Sequence, residues 1–158
     1  MCRVQFPLEV SRLLTHYAIE PWQLIFEVTE CSTFCNAEQA LHSPQAVCRK
    51  MGVRIAIDDF GTGYASYARL KSVDADILKI DGSFIRNIVN NSLDYQIVAS
   101  ICHLARMKKM LVVAEYVETE EIRSAVHALG IDYVQGYLIG KPVALESLAE
   151  TEASTADA

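Results

Sequence analysis

The residues able to do chemistry fall at the ends of apolar runs. Glu27 and Glu30 close LIFEVTE, Asp58 and Asp59 close VRIAIDD, and Lys79 and Asp81 close DILKID. Glu115 and Glu118 close LVVAEYVE, and Gln135 lies in DYVQGYLIG. Adjacent carboxylates repel at neutral pH, and partial burial raises the cost of keeping both ionised. Divalent cations resolve that conflict at residues 58 and 59, because one carboxylate can bridge two ions while its neighbour holds the second. Oxygen donors without histidine or thiolate suit Mg²⁺ or Mn²⁺ better than zinc or copper. Two such ions about 3.5–4 Å apart activate water and stabilise phosphate charge in phosphoester hydrolysis. A lysine on the same rim orients the water or neutralises developing charge. Each residue alone has a plainer reading: strand-end acids cap helices or face solvent, Lys79 is a surface cation, and Gln135 is a structural amide. The repetition of the pattern along successive strands is what points to a metal site.

The elements that must position these side chains alternate. PLEVSRLLTHYAI has apolar residues at helical spacing, with Pro7 near its start and Pro21 after it. LIFEVTE is a strand, Asn36 to Met51 reads as a helix divided near Pro44, and VRIAIDD is a second strand. The loop FGTGYAS leads to a short helix around Tyr67 to Lys71, and DILKID is the third strand. A long helix is expected from Leu93 to Met107, then the strand LVVAEYVE, the helix EEIRSAVHALG stopped by Gly130, and the strand DYVQGYLIG. Such alternation builds an α/β fold with a mainly parallel sheet and outer helices, and ligands bind at the C-terminal ends of its strands.

Composition narrows the partners. Fourteen Lys and Arg against twenty Asp and Glu give a net charge of −6, which argues against binding DNA, RNA or anionic membrane through bulk charge. An anionic ligand held through metal ions remains compatible. The five cysteines are odd in number and form no CxxC pair, so they read as small buried hydrophobes in a reducing compartment. Cys31, Cys35 and His42 form the weaker alternative of a separate metal site. No signal peptide and no run approaching the roughly 20 apolar residues of a membrane span is present, so a cytoplasmic location is expected.

The motifs IDDFGTGYASYARLKSVDADILKID, VVAEYVETEEI and VQGYLIGKPV resemble the EAL family, phosphodiesterases that hydrolyse the bacterial second messenger cyclic di-GMP. The resemblance runs from Val4 to Val143. It implies a TIM-like barrel, a site at its C-terminal rim, two Mg²⁺ or Mn²⁺ ions, and opening of one phosphodiester to give 5′-pGpG. Under it, Glu27 is a metal ligand, Glu30 anchors the loop after the aspartate pair, Asp58 bridges the two ions and Asp59 binds the second. Lys79 contacts the attacking water, Glu115 and Glu118 are the acidic pair near metals and substrate, and Gln135 helps position water. FGTGYAS corresponds to the element that couples dimerisation to metal binding.

The sequence also departs from that pattern. The name-giving Glu-Ala-Leu segment, the first strand and a metal-binding asparagine belong before the stretch resembled by MCRVQF. Residues 1–148 are therefore expected to be the C-terminal part of an EAL domain, an incomplete TIM-like barrel truncated at its N-terminus, with 149–158 a disordered tail. A homodimer partner or an upstream domain would complete the barrel. The alternative to a phosphodiesterase is a non-catalytic cyclic di-GMP-binding or protein-interaction module. Tyr116 stands where the family has glycine, and Ala65 and Tyr67 replace residues of a Ser-Ser-Leu run; a tyrosine at a glycine position is expected to crowd the rim or oppose the backbone conformation.

Overall fold

A computed structural model describes residues 5–29, 49–61 and 74–144. The described residues form helix α1 (Gln5–His16), a 3-10 turn at Pro21–Gln23, and strands β1 (Ile25–Thr29), β2 (Arg54–Phe60) and β3 (Ile77–Ile80). Helices α2 (Gly82–Ile85) and α3 (Ser92–Met107), strand β4 (Leu111–Ala114), helix α4 (Glu120–Ala128) and strand β5 (Tyr133–Val134) follow. The five strands are all parallel and lie in chain order, β1-β2-β3-β4-β5. That order has no reversal, so the sheet has no topological switch point of the doubly wound kind; it is a sector of an α/β barrel, the incomplete TIM-like architecture expected.

Strand pairing assigns the faces. Residues opposite one another across a parallel ladder share a face, and successive residues alternate. Val28, Ile57, Leu78 and Val112 fall on the face beneath the helices, and all four belong to the principal core. Ile85, Ile88, Val98, Ile101 and Ala105 from α2, α3 and their connection pack against them, as do Ile122 and Val126 from α4. The spacing in α3 and α4 explains this: 98, 101, 102 and 105, and 122 and 126, recur at helical intervals. A smaller cluster, Val10, Leu14 and Val53 with Leu24, Phe26 and Met51, seats α1 near the start of the sheet.

The helices start on named caps. Asn91 accepts from the backbone N–H groups of Leu93 and Asp94, and Thr119 accepts from that of Ile122. Asp81, counted among the strand-end acids, caps α2 by accepting the Ser83 N–H at 2.9 Å, and it therefore takes the plainer of its two readings.

Two aspartates tie neighbouring strands together at their feet. Asp76 donates its N–H to the Ile55 carbonyl at 2.9 Å and accepts the Ile55 N–H on Oδ2 at 2.8 Å. Asp132 repeats this with Val112, donating to its carbonyl at 3.1 Å and accepting its N–H at 2.8 Å. Arg49 pins the first of these clasps, reaching Asp76 at 2.6 Å and Asp74 with two bonds.

Two expected strands are shorter than the sequence suggests. LVVAEYVE is strand only to Ala114, because Tyr116 turns the chain at a φ of 55°. DYVQGYLIG is strand only at Tyr133–Val134; the backbone then folds back so that the Leu138 N–H donates to the Val117 carbonyl at 3.2 Å. Gly136 lies so close to Val117 there that a Cβ on it would come within 2.2 Å of that carbonyl oxygen. The helix expected at 67–71, most of the helix expected at 36–51, the loop beyond Gly61 and the tail 149–158 lie outside the described residues. Among the described residues no helix is long and apolar enough to cross a membrane.

Candidate metal centre

The barrel-inner face carries Glu27 on β1, Asp58 on β2, Lys79 on β3 and, one residue beyond β4, Glu115. The register requires this: Glu27 pairs with Ala56, Ala56 with Ile77 and Lys79 with Val113, so each named residue is an even number of positions from an aligned one.

Asp59 breaks that parity. Ile57 pairs with Leu78 and Phe60 with Ile80, which leaves Asp58 and Asp59 together opposite Lys79 alone. This is a β-bulge, rare between parallel strands, and Asp59 takes a φ of 54° within it. In a regular strand adjacent side chains point to opposite faces. The extra residue removes that restriction, and Asp58, Asp59 and Glu115 each place a carboxylate oxygen within 4.8 Å of the others. Aspartate tolerates the left-handed region better than most residues, so one short acid both forms the bulge and joins the carboxylate cluster.

Lys79 is the hub of the cluster. Its Nζ lies 2.7 Å from Asp58, 3.0 Å from Glu27 and 3.0 Å from Glu115. Lys79 is 7% exposed and Glu115 is 8% exposed. Burial works against the charged ammonium, but its hydrogen bonds to Asp58, Glu115 and Glu27 prevail and hold its pKa above that of a free lysine. Burial likewise raises the pKa of Glu115. Lys79 pulls it down and the charges of Asp58 and Asp59 push it up, leaving it above the ordinary carboxylate value. The residue that reads in isolation as a surface cation is a buried one that ties the ends of three strands together.

The remaining expected site residues are placed differently. Glu118 and Gln135 are exposed and not joined to the cluster by these contacts. Their backbones are neighbours, since the Val117 N–H donates to the Gln135 carbonyl at 3.0 Å and the Gln135 N–H to the Ala114 carbonyl at 2.8 Å. Glu30 lies outside the described residues, as do Cys31, Cys35 and His42. Cys102 follows the plain reading of its residue type, buried among core hydrophobes with its thiol pushed up to about 11 by burial.

The Tyr116 backbone adopts the glycine-like conformation. The ring fits because Gly82 offers no side chain, and the Arg86 guanidinium lies 3.9 Å from the ring centroid. Gly82 and Arg86 carried no sequence signal toward the site, because their relation to Tyr116 exists only across the β3–α2 and β4–α4 connections.

The donor set fits a hard divalent cation: three carboxylates from two strand ends, close enough to share one ion, with neither histidine nor thiolate among them. Asp58, Asp59 and Glu115 would hold it.

Comparison with known proteins agrees with the geometry. The chain is 71% identical over 153 residues to the cyclic di-GMP phosphodiesterase PdeF of Escherichia coli, covering 96% of this chain and 20% of that protein. The chain thus spans about a fifth of that relative's length. Among solved structures, the cyclic di-GMP complex of the MucR phosphodiesterase of Pseudomonas aeruginosa superposes with a TM-score of 0.80 at 41% identity, over 88% of this chain and 56% of that one. The manganese and cyclic di-GMP complex of Klebsiella pneumoniae BlrP1 superposes with a TM-score of 0.75 at 32% identity, over 82% of this chain and 33% of that one. The family model described as EAL domain matches residues 1–142, a span that contains the whole sheet and its acidic rim. With that match, this sector of a parallel barrel belongs to the EAL domain family.

Proposed function

We propose that the chain is the C-terminal part of a cyclic di-GMP phosphodiesterase domain and supplies most of a two-metal site at the rim of its barrel. The observation that carries this reading is the convergence of Asp58, Asp59 and Glu115 around Lys79, produced by a bulge that aims two adjacent aspartates into one place. Residues 1–148 form the domain. An upstream segment, or a partner in a homodimer, supplies the remaining ligands and strands, and the protein works in the cytoplasm.

Asp58, Asp59 and Glu27 would hold the divalent ions, Mg²⁺ or Mn²⁺, with Asp58 shared between them. The ions, when bound, lower the pKa of a water and stabilise charge on the phosphodiester. Lys79 stays protonated across the working pH range, and its ammonium donates a hydrogen bond that orients the attacking water. Three carboxylates take up its three N–H donors in the metal-free protein, so one of them is released when the ammonium turns to water. Glu115 and Glu118 border the substrate, Gln135 positions water, and Glu30 anchors the loop after Asp59.

Incubation of the purified chain with cyclic di-GMP and Mn²⁺, followed by chromatography for 5′-pGpG, tests the reading. Turnover that disappears in Asp58→Ala supports it. Binding without turnover assigns the chain to the non-catalytic module instead, and failure of both at millimolar ligand ends the nucleotide reading.

A further inference from the structure

Tyr116 and Arg86 form an element that the metal chemistry does not use. Tyr116 directly follows Glu115, a member of the acidic cluster, and the residue is 44% exposed. Its backbone sits at a φ of 55°, a conformation that a bulky residue avoids. The ring is nonetheless held in place. Gly82 leaves the space for it, since a Cβ there would meet the Tyr116 Cδ2, Cγ and Cβ atoms at 2.2, 2.6 and 2.9 Å. The guanidinium of Arg86 lies over the ring, 3.9 Å from its centroid. Arg86 is exposed and lies just past α2, where its N–H donates to the Gly82 carbonyl at 3.0 Å. Backbone strain of this kind persists where the surroundings impose it, and such positions concentrate at ligand clamps. The surroundings here are a glycine with no side chain and a stacked cation, both aimed at one exposed aromatic.

The chemistry of the pair is specific. A guanidinium stacked on an aromatic ring is held flat, so its N–H groups point outward in a fixed plane while its outer face stays open to stacking. Two parallel donors in one plane match the O6 and N7 acceptors of guanine. Adenine offers N7 but presents a donor at N6, which opposes an N–H. An aromatic beside the reacting centre also provides a stacking surface of the kind that holds unpaired bases.

Building on the phosphodiesterase reading, we infer that Tyr116 and Arg86 form a guanine-docking element at the rim: Arg86, stacked on the Tyr116 ring, donates to O6 and N7 of one base of the bound dinucleotide. Arg86 is a specificity residue in this assignment and Tyr116 its support.

The test is calorimetry of the purified chain with phosphorothioate analogues of cyclic di-GMP and cyclic di-AMP, which separate binding from turnover. The wild type should prefer the guanine ligand. Arg86→Gln, an exposed substitution, should reduce that preference about ten-fold. Tyr116→Phe should keep the preference, and Tyr116→Leu should weaken guanine binding about ten-fold. A wild type that binds the guanine ligand, with unchanged discrimination in Arg86→Gln, overturns this assignment and leaves the phosphodiesterase reading intact. A wild type that binds neither analogue overturns both.

Discussion

Gly82 and Tyr116 are complementary. The glycine is bare where the tyrosine ring lies, and a methyl group added to it would come within 2.2 Å of Cδ2. Gly82→Ala is therefore expected to destabilise the protein by about 1–3 kcal/mol, the usual cost of overpacking. Tyr116→Gly should be close to neutral on its own. It relieves a left-handed residue costing roughly 1–2 kcal/mol, but it forfeits an exposed cation–π contact worth about 0.5–1 kcal/mol and gives the unfolded chain about 0.5–1 kcal/mol of freedom. In the double variant the cost of Gly82→Ala should largely vanish. Urea unfolding of the four proteins measures that coupling, and additive effects would show that the two residues do not meet in solution.

The bulge predicts a separation between fold and metal at Asp59. Asparagine shares the tolerance of aspartate for positive φ, so Asp59→Asn should leave the melting temperature of the metal-free protein nearly unchanged while abolishing the stabilisation given by Mn²⁺. Asp59→Ala should lose both, at a cost of about 1 kcal/mol in the metal-free protein for a side chain unsuited to the φ of 54°. Thermal melts with and without Mn²⁺ distinguish the two variants.

Lys79 holds together carboxylates from three strands, so Lys79→Met leaves them facing one another. Removing one partner of a buried ion pair costs about 3–5 kcal/mol; the exposure of Glu27 places the expected loss at the lower end. Added Mn²⁺ should recover a larger share of stability in this variant than in the wild type, because it replaces the lost positive charge. A Mn²⁺ response equal to that of the wild type would mean that the ammonium and the ion do not share these carboxylates.

Stability should fall in alkali by a calculable route. Burial pushes the Cys102 thiol up to about 11 from an ordinary value of 9.0. The unfolded chain then loses this proton first, so the stabilisation is complete below pH 9 and is lost as pH rises to about 11, a change of roughly 2–3 kcal/mol. Lys79 acts in the same direction. Burial opposes its charge but three carboxylates raise its pKa above 10.5, so its contribution is present below that value and fades above it. Cys102→Ala should flatten the stability curve between pH 9 and 11 after a small loss near neutrality, measured as the denaturation midpoint against pH.

Much of this was legible in the residue pattern because the pattern is local. Apolar runs ending in acid located β1 to β4, and alternation with helices gave the parallel sheet. The aspartate pair announced an electrostatic conflict that a compensating charge or a proton must settle. What the sequence did not disclose depends on contacts between segments. LVVAEYVE reads as one strand through residue 118, yet Tyr116 turns because Gly82 makes room for it on another connection. Residues 136–139 are apolar enough for a strand, but Gly136 docks against the Val117 backbone and ends the ladder. The bulge was hidden for a related reason: two adjacent aspartates read the same whether they point apart or together, and only the single residue opposite them decides.

The aspartate clasps at the foot of the sheet bear on how the rim tolerates change. Ile55 is held to Asp76, and three residues further along each strand come Asp58 and Lys79. Val112 is held to Asp132, and three residues further along come Glu115 and Gln135. Each clasp thus acts as the zero mark of a ruler for the two chemical groups above it. Insertions or deletions in the loops and helices outside these three-residue spans leave the reach of the reactive side chains unaltered. A single residue added within a span would lift one group past its neighbours by a full strand step, about 3.3 Å, and would turn it to the other face of the sheet.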